Sequence, residues 1–96
     1  MIGEDTVIAR SPNQVTCEML NELLILQTAS GRYYGLNELG SRAWALLEQP
    51  RRMAEIRDAL LAEYEVDRET CTRDLVSLFE KLASKQLIEV DPAPAP

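Results

Sequence analysis

The chain has 96 residues, 46% of them hydrophobic and 27% charged, enough for one small domain built on a single core and too ordered a composition for a disordered chain. Ten basic and sixteen acidic side chains leave a net charge of −6, which disfavours nucleic acid as a partner, because a phosphate backbone calls for a concentrated positive face. There is no histidine, hence neither the commonest metal ligand nor the commonest general base; with no apolar run able to span a bilayer and no signal peptide in MIGEDTVIAR, a cytoplasmic protein with no membrane partner is expected.

Residues 1 to 6 are polar and are expected to be loose. Ser11-Pro12-Asn13 is a turn signal that closes a short VIAR segment. Val15, Cys17 and Met19 alternate with Thr16 and Glu18, the period of two of a strand with one buried face, and Asn21-Glu22 offers a tight reversal. Leu23 to Leu26 is apolar at every position, which predicts a central strand covered on both faces. Thr28 to Gly31 suits a hairpin loop whose last residue takes a positive φ. Arg32 to Leu36 then returns as a strand at the sheet border, and an edge strand with two tyrosines and little charge invites further pairing.

Strand and first helix meet at Leu36-Asn37 without a linker. Asn37 is a good N-cap, and Leu39, Ala43, Leu46 and Leu47 form an apolar stripe with Trp44 beside it; Pro50 ends the helix. A second helix over about 52 to 64 places Met53, Ile56, Leu60 and Tyr64 inward and Arg57, Asp58 and Glu63 toward water. Arg52 stands where a hydroxyl cap is expected. Asp67 caps a third helix, about 68 to 85, with Glu69 favourable in its first turn and Val66 placed to staple onto Cys71. In this helix Cys71, Leu75, Leu78 and Leu82 form one stripe and Val76, Phe79 and Ala83 a second, an arc of roughly 160° where one neighbour needs about 100°. Gln86 closes it where glycine is easier. Leu87 to Val90 reads as a short terminal strand, and DPAPAP as a disordered Pro/Ala tail over 91 to 96 after a single domain over 1 to 90. Strands first and helices second predict an α+β domain, a winged helix-turn-helix with a three-stranded antiparallel sheet followed by three helices.

The chemistry-bearing residues are few. Cys17 and Cys71 are distant in sequence and read as small hydrophobes in a reducing compartment, and two cysteines do not complete a metal site. No cofactor, metal or catalytic residue is expected: a nucleotide loop and GxSxG are both missing, and Ser41 and Cys71 have no visible base. A winged-helix DNA-binding regulator shares the predicted fold. Residues 68 to 85, however, carry four basic and three acidic side chains, and the densest basic cluster is only Arg51, Arg52 and Arg57.

The succession ELLILQTASGRYYGLNELGSRAWALL, MAEIRDALLAEYEVD and RDLVSLFEKLASKQLIEV resembles the PqqD family, the precursor-peptide (RiPP) recognition elements, over about residues 15 to 90. Gly31 to Leu47 is its most specific part. Arg52 and Gln86 depart from the pattern, where a hydroxyl cap and a glycine are usual. The resemblance implies a module that grips the leader segment of a ribosomally made precursor peptide. The leader adds as a strand beside the third strand and lays apolar side chains against the third helix, so that backbone pairing supplies affinity and pockets supply selectivity. A free-standing module of this size is similar to the discrete recognition proteins of lasso-peptide pathways, which implies a leader peptidase and a macrocyclase as partners.

Carried onto this chain, the resemblance puts Arg32, Tyr33, Tyr34 and Gly35 on the pairing strand and Leu24 and Leu26 under the groove. Cys71, Leu75 and Leu78 form its far wall, and Asp74 at the margin can catch a leader lysine, arginine or backbone amide. Each position also has a plainer reading. The leucines are ordinary core by burial habit, only one of the two tyrosines can face a given side, Asp74 is a solvated helix charge, and Trp44 is core.

Overall fold

The computed structural model describes residues 2–19 and 22–91. Six strands and three helices follow one another: β1 Val7–Arg10, β2 Gln14–Met19, β3 Glu22–Gln27, β4 Arg32–Leu36, α1 Glu38–Ala45 with a 3-10 turn over Leu46–Glu48, β5 Arg51–Arg52, α2 Met53–Glu63, α3 Arg68–Ser84 and β6 Ile88–Val90. The expected reversal falls partly on Asn21 and the tail on 92–96, which lie outside the described residues. No helix of the described residues is long and apolar enough to cross a membrane.

The domain is α+β, but it holds two antiparallel sheets rather than one. One runs β2-β3-β4; the other, β5-β1-β6, joins three parts of the chain remote in sequence. Strands of two to four residues are too short to show a period, so this second sheet leaves no pattern to read. It recruits the amino-terminal segment. Ile8 pairs with both Arg51 and Val90 and is fully buried.

β3 is the central strand of its sheet, paired residue for residue with β2 and with β4. Directly opposed residues share a face, so the inner face carries Leu23, Ile25 and Gln27 with Thr16, Tyr34 and Leu36. Ile25 is fully buried, and the Trp44 indole donates to Thr16 Oγ1 at 2.9 Å. The outer face carries Val15 and Cys17 with Leu24, Leu26, Tyr33 and Gly35. Two expectations are corrected here. Val15 and Cys17 are not the inward residues of β2, since Val15 is 47% exposed, and β3 is covered on one face only. Alternation shows that a strand has two faces; which of them meets the helices depends on the far partner.

The helices close over the inner face. Ala43, Trp44, Met53, Ile56, Leu60, Leu75, Phe79 and Leu82 are all buried in one cluster with Ile8 and Ile25. Gly40 N donates to Asn37 Oδ1 at 2.7 Å and Thr70 N to Asp67 Oδ2 at 3.0 Å, so both expected caps form. Val66 stays exposed. Arg52, with no hydroxyl, is replaced as a cap by the amino-terminal segment: Met53 N donates to Thr6 O at 2.9 Å and Ala54 N to Glu4 O at 3.0 Å, satisfying two of the helix's orphan amides. Residues 2–6 are therefore held, not loose, with Ile2 and Thr6 buried. Arg57 does not point to water as its stripe position suggests; it is 4% exposed and engages Glu4 and, at 3.1 Å, Asp58. The Glu4 hydrogen bond is the main reason its pKa is raised, against the opposing effect of burial.

At the end of α3, Gln86 sits in the left-handed region at φ 60°. Gln86 N donates to Ala83 O and Leu87 N to Leu82 O, each at 3.0 Å, the paired bonds of a Schellman motif. Asp91, read as tail, belongs to the fold: its Oδ1 accepts from Val7 N at 2.9 Å and its N donates to Val7 O at 2.8 Å.

A left-handed residue with a Cβ is strained, so Gln86→Gly is expected to stabilise the protein by about 1 kcal/mol, seen as a melting temperature higher by roughly 4–8 °C. Glu4→Ala removes a charged hydrogen bond from a buried guanidinium and is expected to cost about 1.5–3 kcal/mol in urea unfolding.

Candidate peptide-binding site

Both edges of the β2-β3-β4 sheet are open among the described residues, because β2 and β4 each pair only with β3. What lies beside each edge differs. Along β4 runs α3, and two adjoining clefts lie on this side, the first between α3 and the start of α1 and the second between α3 and β4. One, of about 270 Å³, is lined by Asn37, Leu39, Gly40, Asp74, Leu75, Ser77 and Leu78. The other, of about 200 Å³, is lined by Tyr33, Tyr34, Gly35, Leu36, Leu78, Lys81, Leu82 and Lys85. Leu78 is common to both, which makes them one groove. A shallow extension at the start of β4 adds Gln27, Ser30, Arg32, Ser84 and Gln86.

The groove runs on past the end of β4. Leu78 to Lys85, the stretch of α3 that shares a cleft with β4, rises about 10 Å, and Asp74 and Leu75 continue the trough against the start of α1. An extended segment laid beside β4 faces this stretch of α3 and has the strand's open edge to pair with. Its floor is apolar: Leu36, Leu39 and Leu78 are half-buried and pack against the core cluster. Two local devices hold it open. The Asn37 cap starts α1 directly at the end of β4, and Gly40 lets α1 approach the groove, since a Cβ there would meet Asn37 Oδ1 at 3.1 Å and Leu78 Cδ2 at 3.5 Å. At the other end the Gln27 side chain donates to Lys85 O at 3.4 Å, tying β3 to the last turn of α3.

The residues expected at the site divide into three groups. Arg32, Tyr33, Tyr34 and Gly35 lie on the open strand or its cleft, and Asp74, Leu75 and Leu78 line the groove from α3. Tyr34 faces inward, half-buried, while Tyr33 is 58% exposed on the outer face. Leu24 and Leu26 are not under the groove: their register with Gly35 and Tyr33 sets them on the outer face, away from α3. Cys71 is not a wall residue either. It is 1% exposed in the core, and burial, with Asp74 adding to it, pushes its thiol pKa up, the opposite of an activated nucleophile. Both cysteines are free thiols.

Lys81, Leu82 and Lys85 are groove residues that sequence reasoning missed. Their signal is present in the sequence, because positions 78, 81, 82 and 85 are three or four apart and continue one helix face. A larger cleft, about 530 Å³, lies elsewhere, between α1 and the β2-β3 hairpin. Its lining includes Glu18, Glu22, Glu48 and Arg10, whose guanidinium stacks 4.8 Å from the Trp44 ring centre.

A family model described as coenzyme PQQ synthesis protein D (PqqD) matches residues 22–88. Two solved structures are similar to the chain. "TbiB1 in Complex with the TbiA(beta) Leader Peptide" is 42% identical, with a TM-score of 0.78, over 90% of this chain and 99% of that one. "Lasso peptide synthetase B1 complexed with the leader peptide" is 23% identical, with a TM-score of 0.76, over 85% and 96%, a likeness that speaks for the fold. No curated protein matches the chain. With the family match running from β3 to the start of β6 and carrying both walls of the groove, the chain belongs to the PqqD family.

Proposed function

We propose that the protein is a RiPP recognition element of a lasso-peptide pathway: it binds the leader segment of a precursor peptide by strand addition to β4, with apolar leader side chains against α3. The observation that carries this is a strand with one edge open among the described residues, bordering an apolar cleft against α3, in a chain 42% identical to a protein solved with a leader peptide. The module has no catalytic step of its own; it presents the leader to a leader peptidase and a macrocyclase of the same pathway. Its setting is the cytoplasm, where thiols such as those of Cys17 and Cys71 stay reduced. In this reading α2 and α3 with the β2-β3-β4 sheet are a winged helix-turn-helix put to use for peptide rather than DNA.

The cationic residues argue the same way. Arg57 is buried on Glu4 and Asp58, Arg52 meets Asp5 and Glu55, and Arg51 Nε donates to Leu46 O at 2.6 Å. The densest basic cluster of the sequence is thus engaged within the protein and offers no face to phosphates.

Titration of the 15N-labelled protein with the TbiA(beta) leader peptide is expected to shift amides of 32–36 and 74–85. The affinity should change several-fold at most between 50 and 200 mM salt, against the roughly thousandfold or greater loss of a protein contacting 6–10 phosphates. Shifts gathered around Arg10 and Glu48 would overturn the assignment. Leu78→Asp is expected to leave a folded protein and weaken binding roughly tenfold or more, because the side chain is half-buried at the groove. Leu75→Asp buries a charge in the core and should cost more than about 4 kcal/mol, visible as loss of the cooperative melt.

A further inference from the structure

Charge is distributed unevenly along the groove. Arg32 and Lys85 line it where β4 begins, Lys81 stands one helical turn from Lys85 on α3, and none of the three makes an ion pair among the described residues. Asp74 stands at the opposite end beside Asn37, also without an ion pair among the described residues. In a chain of net charge −6, three cations brought together without carboxylate partners form a local reversal of sign at the mouth of an apolar trough. Such charges at the rim of an interface set register and direction more than affinity.

We infer that the groove selects an extended peptide segment bearing a carboxylate opposite Arg32, Lys81 and Lys85 and, four residues away, a cationic side chain opposite Asp74, with an apolar side chain between them over Leu78. The spacing follows from the rise of α3. Asp74 is about 10 Å along the helix from Lys81 and about 16 Å from Lys85. On a strand, residues of one face recur every second position, so i and i+4 are about 13 Å apart, within that interval. Residue i+2 then falls midway, where Leu78 joins the two clefts. The arrangement has a direction. A segment antiparallel to β4 carries the cation first and the carboxylate last, and a parallel one carries them in reverse. This inference rests on the strand-addition reading and deepens it by naming the chemistry of the ligand.

The test is a selection from a phage-displayed library of random twelve-residue peptides, run in parallel on the wild-type protein and on a Lys81→Glu/Lys85→Glu variant. The selected peptides are mapped by amide shifts. Both lysines are exposed, and a folded variant is verified by its circular dichroism. The wild type is expected to enrich Asp or Glu four positions from Lys or Arg with an apolar residue midway. The variant is expected to enrich Lys or Arg in place of the carboxylate. For a single wild-type peptide, each neutral change, Lys81→Gln or Lys85→Gln, should weaken binding roughly fivefold at most. Peptides that shift 32–36 and 74–85 but show no acidic preference, or the same peptides from both proteins, would overturn the charge inference and leave strand addition standing. Selected peptides that leave 32–36 unshifted would remove strand addition and this inference together.

Discussion

The whole arrangement depends on where the amino-terminal strand finds its partners. An unpaired strand edge is a row of hydrogen-bonding groups that nearby chain tends to cover, and β1 is a strand of the same molecule in need of pairing. It takes β5 on one side and β6 on the other, so neither of its edges is left to turn toward β4. The segment before it is committed as well, since Glu4 and Thr6 carbonyls accept from the first amides of α2 and Glu4 meets the buried Arg57. With residues 3–10 fastened to α2, β5 and β6, β4 keeps an open edge among the described residues.

An open edge becomes a selective site only when something shapes the space next to it, and α3 does this while also holding the core together. Its buried residues, Leu75, Phe79 and Leu82, and its groove residues, Leu78, Lys81 and Lys85, interleave along the helix. A residue step of about 100° lets one helix serve both surfaces. The groove wall therefore cannot drift without moving the core. Both ends of the helix are secured, by the Asp67 cap and by the Gln86 Schellman turn, and Gln27 ties the last turn to β3. Retaining a strained non-glycine residue at that turn lowers stability without altering the geometry.

The distribution of cations separates surface from site. Most of the arginines are drawn into intramolecular contacts: Arg42 with Glu63, Arg52 and Arg57 with their carboxylates, and Arg10 with Trp44, whose carbonyl accepts from Arg10 Nη2 at 2.6 Å. Arg32, Lys81 and Lys85 stand apart from these pairings along the groove, as the exposed Arg73 does on α3 outside it among the described residues. The outer face of the sheet, with Val15, Leu24, Leu26 and Tyr33, is apolar and partly exposed, and it adjoins the same open strand.

Much of this was legible in the sequence because it is local. The hairpin ending at Gly31, whose φ is 71°, the junction of strand and helix at Asn37, the stop at Pro50 and the Asp67 cap each depend on residues a few positions apart. The open strand and the over-wide apolar arc of the third helix are visible as patterns too, and the stretch from Gly31 to Leu47 carries the resemblance to the family. What only the tertiary structure decided is non-local: the second sheet, the fastening of residues 2–6, the burial of Arg57, the inward facing of Thr16 in place of Val15 and Cys17, and the placement of Leu24, Leu26 and Cys71 away from the groove. The reason is that periodicity reports how many faces an element has, whereas the partner that covers each face lies tens of residues away and leaves no mark on the local pattern.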